Sequence, residues 1–142
     1  MMSMDNESIL RDFIQSVWNE KDFDRIGEFV HPEYTIHLDT GDPWEGKTLG
    51  HEEFAVRLNY SFHSFPDIHF AIQAAVADGD YVAITWIMTG TNRGSIGDIP
   101  ATNKSIRTSG CTIYYFRDGK VSGHSQVFDR TTVMKQLGFL PE

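Results

Sequence analysis

Apolar positions along this chain recur first at helical spacing and then with a period of two. Ile9, Phe13 and Val17, with Leu10, Ile14 and Trp18 beside them, predict a first helix after the polar start Asp5-Asn6. A short second helix is expected from about Asp22, with Phe23, Ile26, Phe29 and Val30 on one side. His31-Pro32 should end it, because the residue before proline is pushed out of the α region. Tyr34 to Leu38 alternates as a short strand, and the Gly-, Asp- and Pro-rich stretch from Thr40 to Gly50 reads as a loop. Gly50 opens a third helix whose stripe is Phe54, Leu58, Ser61, Phe62 and Phe65, stopped by Pro66.

Beyond Pro66 the period changes to two. Ile68, Phe70, Ile72 and Val76 alternate with polar or small residues up to the turn Asp78-Gly79. Val82, Ile84, Trp86 and Met88 face one way, and Ala83, Thr85, Ile87 and Thr89 face the other. Asn92 to Asn103 has no period, and a stretch of that kind within a compact domain is usually a lid or an interface loop. Ile106 to Phe116 and Val121 to Phe128 flank the two-residue hairpin signal Asp118-Gly119. Thr131 to Leu137 forms a last helix with Gly138 past its end. Helices first and a long-stranded antiparallel sheet afterwards make an α+β order.

Composition narrows the function classes. A chain of 142 residues, 40% of them apolar, suits one domain spanning 1–142. A formal charge of −8 argues against nucleic acid as a partner, since phosphate binding relies on clustered Lys and Arg. Cys111 is the lone cysteine, so an intrachain disulfide is excluded, and its strand pattern suggests a small buried hydrophobe. The start Met1-Met2-Ser3-Met4-Asp5-Asn6-Glu7 lacks a basic and an apolar leader region, and no apolar run approaches a membrane span. A cytoplasmic protein without a membrane partner is expected. The six histidines show no short ligand spacing, so no metal is expected.

Asp129 is the leading candidate for chemistry. A carboxylate at a strand end beside a pocket of Phe, Trp and Met would be partly desolvated, which raises its pKa towards that of a usable base. Directly before Arg130-Thr131-Thr132 it is equally well placed to cap a helix. His37, on the polar side of its strand, could donate a hydrogen bond to a carbonyl oxygen or stand half-exposed on the backbone. His124 and Gln126 share one face of the last strand, and Ser125, Val127 and Asp129 share the other; only one set can face a cavity unless a bulge intervenes. Trp44 either folds over a pocket or packs in an interface. Phe62 and Trp86 are candidate apolar walls.

The segments GTNRG at 90–94, IPATNK at 99–104, FRDGKV at 116–121, HSQVFD at 124–129 and QLG at 136–138 resemble the SnoaL-like polyketide cyclases. The family pattern has His where this chain has Asn92, Gly where it has Asn103 and Trp where it has Ser125. Ser125 opens space where a large ring normally sits. The resemblance spans about Ser8 to Leu140 and implies a nuclear-transport-factor-2-like fold, a curved antiparallel sheet wrapped around the N-terminal helices over a cone-shaped cavity. It also implies a cofactor-free intramolecular aldol closure of a hydrophobic polyketide ester, with Asp129 as general acid/base. His37, Asn92, His124, Ser125 and Gln126 would lie near the substrate, and two copies would pair as a homodimer. Two other classes stay open, a binding or dimerising module without chemistry and an epoxide-type hydrolase.

Overall fold

The computed structural model describes residues 5–141, so most of the start in which no leader was expected, Met1 to Met4, lies outside the described residues. Asp5 caps α1 (Asn6–Phe13) by accepting from the Ser8 N–H at 2.7 Å, which satisfies one of the orphan donors of the first turn. The helix continues as a π-type segment from Ile14 to Asn19, burying Leu10, Phe13, Ile14 and Val17. At its end the Asn19 side-chain amide donates to the Phe70 carbonyl at 3.0 Å and accepts from the Phe70 N–H at 2.9 Å. A single side chain thereby acts as a strand residue against the edge of the sheet.

The expected second helix is shorter than its apolar pattern suggests. A 3₁₀ turn over Phe23–Arg25 leads into one turn of α2 (Ile26–Phe29), and Val30 already belongs to β1 (Val30–Leu38). His31-Pro32 therefore opens a strand. Pro32 falls in the interval between the paired residues Val30 and Thr35, where no ladder hydrogen bond is required of it. A two-residue strand, β2 (Thr48–Leu49), interrupts the following loop and pairs with β1.

After α3 (His51–Ser64) the chain forms β3 (His69–Asp78), β4 (Tyr81–Thr91), β5 (Ser105–Arg117), β6 (Lys120–Phe128) and α4 (Arg130–Gln136). The strand order is β2-β1-β6-β5-β4-β3. All neighbours are antiparallel except β1 and β6, so the curved, unclosed sheet is mixed, not purely antiparallel. The architecture is the α+β one that the resemblance implied, with the helices on the concave side. Val82, Ile84, Trp86 and Met88 are buried in strict alternation along β4.

The loop after β4 is held by Asn92, which is fully buried. Its side-chain amide donates to the Ser64 and Gly94 carbonyls, and its oxygen accepts from the Thr102 N–H and hydroxyl. The Arg93 and Gly94 N–H groups also reach the Ser64 carbonyl. A Cβ at Gly94 would stand 1.9 Å from the His63 carbonyl oxygen, so the residue must be glycine for the loop to seat on the end of α3.

A buried histidine–carboxylate pair at the head of an apolar cavity

Between the helices and the inner sheet face lies a cavity of about 310 Å³. Its deep walls are apolar, formed by Trp18, Phe70, Trp86, Met88, Ile106 and Phe128 among others. Its polar end draws on four elements: Tyr34 from β1, Asp42 from the following loop, Arg57 from α3, and His124 and Gln126 from β6.

Behind that polar end sits Asp39, only 1% exposed. Its Oδ2 accepts from Arg57 Nη2 at 3.1 Å, from Gln126 Nε2 at 2.9 Å and from His124 Nε2 at 2.9 Å. Its Oδ1 accepts from Arg130 Nη2 at 3.0 Å. Arg57 Nη2 also donates to Asp42 Oδ2 at 2.9 Å, so one guanidinium nitrogen joins two carboxylates. Two acids and two arginines balance in charge, which is how a buried ionic cluster avoids an uncompensated charge. The Gln126 orientation is fixed from its other end, where Trp86 Nε1 donates to Thr112 Oγ1 and Thr112 Oγ1 donates to Gln126 Oε1.

The protonation of His124 follows from its partners. An ionised carboxylate can only accept, so Nε2 carries the proton and Nδ1 is left with a lone pair. Tyr34 donates its hydroxyl to that lone pair at 2.5 Å. Burial pushes Asp39 up, but the hydrogen bond and charge of His124, the Arg57 charge and the Gln126 amide together hold its carboxyl below the usual range. Burial pushes His124 down and outweighs the bond to Asp39, so the imidazole is neutral at pH 7. Burial raises Tyr34 well above the ordinary phenol range. The arrangement is a neutral base with its acceptor nitrogen towards a cavity-lining phenol and its N–H anchored on a fixed anion.

Of the residues anticipated from sequence, Trp86, His124 and Gln126 line this cavity. The others are elsewhere. Asp129 is exposed and caps α4, accepting from the Thr132 N–H at 2.9 Å and from its hydroxyl. Those hydrogen bonds hold its carboxyl below the ordinary value, the reverse of the desolvated, raised pKa expected. The period of two explains this: Asp129 shares the outer face with Ser125 and Val127, and the pairing of β6 with β5 runs without a shift from Gly123 to Phe128, the one irregularity lying earlier, between Val121 and Gly123. His37 is exposed, its ring against Tyr115 on the outer side of the sheet. Ser125 bonds the Tyr115 hydroxyl on that same side. Trp44 packs on Tyr60 and donates to Glu53 along α3, Phe62 packs between Trp18 and Phe23, and Asn92 holds its loop. Cys111 is exposed on the outer face and not buried.

Asp39, Arg57, Tyr34 and Arg130 were not anticipated. Strict alternation from Tyr34 and Ile36 puts Leu38 inside and Asp39 outside. A register shift between Ile36 and Leu38 inverts this, leaving Leu38 48% exposed and Asp39 buried. Arg57 did carry a signal, since it lies three residues after Phe54 and one before Leu58 on the buried stripe of α3. A charge on such a stripe demands a buried counter-charge.

The family model of SnoaL-like polyketide cyclases matches residues 8–137. The chain is similar to the structure of a candidate polyketide cyclase from Acidithiobacillus ferrooxidans, at 39% identity and a TM-score of 0.87, with 96% of each chain covered. Its fold is also that of IdmH, a candidate polyketide cyclase from Streptomyces antibioticus (22% identity, TM-score 0.79, 95% of this chain and 99% of that one). AclR, a candidate hydroxylase from Streptomyces galilaeus, shares the fold as well (20% identity, TM-score 0.79, 96% and 83% covered). No curated protein matches.

Proposed function

Because the chain belongs to the SnoaL-like polyketide cyclase family, we propose that it is a cofactor-free cyclase or isomerase of a hydrophobic carbonyl compound, with His124 as the resting place of the abstracted proton. The observation that carries this is the neutral His124 between ionised Asp39 and Tyr34, at the polar end of an apolar cavity. Tyr34 stands between the imidazole and the cavity. A proton leaving an activated carbon passes to the Tyr34 oxygen as the phenol proton moves to His124 Nδ1. The electron pair stays on the substrate as an enolate, and the imidazolium is held by Asp39. The enolate then attacks a second carbonyl folded close to it, or is reprotonated elsewhere to give an isomer. The apolar walls hold the chain in a reactive fold and sharpen the electrostatics of the step.

An epoxide-type hydrolase is the second reading, favoured by the meeting of Asp39, Asp42 and Arg57. Asp39 already accepts four hydrogen bonds, which leaves it poorly placed to activate a water. In this proposal the ligand is a hydrophobic small molecule and the compartment is the cytoplasm; among the described residues no helix is long and apolar enough to cross a membrane. The outer sheet face exposes Val76, Ile113 and Val127, which suits a homodimer packed through that face. Sedimentation of wild type and Val127→Lys tests the pairing.

The test of the chemistry is proton exchange in deuterated water, followed by NMR on 2-tetralone and hydrophobic β-keto esters. Exchange in wild type that His124→Asn abolishes supports the reading. Binding without exchange makes the protein a binding module.

A further inference from the structure

Resting on His124 as the proton acceptor, we infer that the Tyr114 hydroxyl binds the substrate's carbonyl oxygen and holds the charge that develops there as the enolate forms. Tyr114 points inwards from β5, is only 7% exposed and lines the cavity. It makes no hydrogen bond to any described residue. Yet among the described residues no fully buried side-chain nitrogen or oxygen lacks a partner. The Tyr114 oxygen must therefore open onto the cavity, where a ligand can reach it.

The neighbouring single-proton donors are committed. Tyr34 gives its proton to His124, and the Trp86 indole gives its own to Thr112. Tyr114 is left with a free O–H in an otherwise apolar wall. It is also well sited, since it pairs directly with His124 across β5 and β6, their ring centroids 6.0 Å apart. A carbonyl oxygen and its α-carbon are separated by two bonds, so one small group can address both residues. Burial raises the Tyr114 phenol well above its ordinary range, so it stays protonated and acts as a donor, not a base. The step balances: the α-proton goes to the Tyr34–His124 pair, the C–H electron pair becomes the enolate, and Tyr114 keeps its proton while donating a hydrogen bond. The ligand class is a ketone or ester carbonyl with an acidic α-hydrogen on an apolar scaffold.

The experiment uses carbonyl-¹³C-labelled 2-tetralone with wild type, Tyr114→Phe and His124→Asn. Tyr114→Phe should lower the exchange kcat about 10²-fold, as for loss of one oxyanion donor, with little change in KM. It should leave Tm unchanged, because the lost hydroxyl has no partner inside the protein. The carbonyl resonance of the bound ketone should move upfield in Tyr114→Phe but not in His124→Asn. Wild-type rate and shift in Tyr114→Phe would overturn the inference and leave the His124 reading standing. No exchange in wild type, with a shift that Tyr114→Phe removes, would sink the His124 reading and keep Tyr114 as the carbonyl contact. A carbonyl shift of the bound ketone in wild-type protein the same as in cyclohexane would overturn the inference outright.

Discussion

Tyr34 and His124 lie 90 positions apart and meet in a 2.5 Å hydrogen bond within the cavity wall. Parallel pairing of β1 with β6 makes the meeting possible, setting Ile36 beside His124 so that the inward residues of both strands face the same space. Asp39 arrives by the same route, one residue past a bulge.

Removing Asp39 should therefore cost both stability and activity. Asp39→Leu leaves the Arg57 charge with Asp42 alone and frees Arg130, Gln126 and His124 of their common acceptor. Breaking a buried ion pair from one side typically costs about 3–5 kcal/mol. Urea denaturation should show a loss of that order, and a loss below about 1 kcal/mol would mean the cluster is not the folded site's anchor.

Stability should fall with pH in two separate windows. His124 has a folded pKa below its ordinary 6.5, so the unfolded chain binds its proton first and stability drops as pH falls from about 6.5 towards the folded value. Asp39 is also depressed, so its stabilisation is present above its ordinary 3.8 and is lost as pH falls further, through the folded value. Denaturation midpoints measured between pH 8 and 3 should show both declines. His124→Asn should abolish the upper decline and shrink the lower one, because His124 is among the groups that hold Asp39 down.

Asp129→Asn should leave proton exchange at the wild-type level, since the carboxylate faces solvent and bonds only Thr132. Asp129→Ala should instead loosen the first turn of α4. Amide hydrogen exchange at Thr132 is the readout. A variant inactive yet as well folded as wild type would restore Asp129 as the base.

Gly110→Ala should close part of the cavity. A Cβ there would stand 2.4 Å from the Trp86 ring and 2.6 Å from the Phe128 Cβ. Overpacking of this kind costs about 1–3 kcal/mol, and the displaced indole would let go of Thr112 and so of the Gln126 orientation. Weaker ketone binding together with a lower Tm is the expected pair of results.

The period of two along β6 separated His124 and Gln126 from Ser125, Val127 and Asp129 but left open which set faces inwards; the first set lines the cavity, together with Trp86. The same period sets Asp129 with Ser125 and Val127, on the face that turns out to be the outer one; its place at a strand end suggested a desolvated base, but the carboxylate caps α4 in solvent. Asp39 escaped because a bulge is invisible to alternation. Pro32 misled in another way, since a proline that ends a helix pattern can also sit in an unpaired stretch of strand. Tyr114 and Tyr34 looked like ordinary core aromatics, and nothing local separates a phenol with a partner from one without. The β1–β6 parallel pairing joins segments far apart in the chain, so no short-range pattern announces it.

The Asn19 amide that mimics a strand against Phe70 also bears on how this protein avoids its own copies. β3 is one border of the sheet, and an open border invites another chain to dock as an added strand. Here that border is occupied at Phe70 and kinked by a register shift between Ile72 and Ala74. The opposite border, β2, is two residues long. Runaway polymerisation through strand addition is thereby blocked at both ends. Asn19→Ala, which frees the Phe70 backbone at that border, should raise the tendency to form fibrils, measured by thioflavin fluorescence.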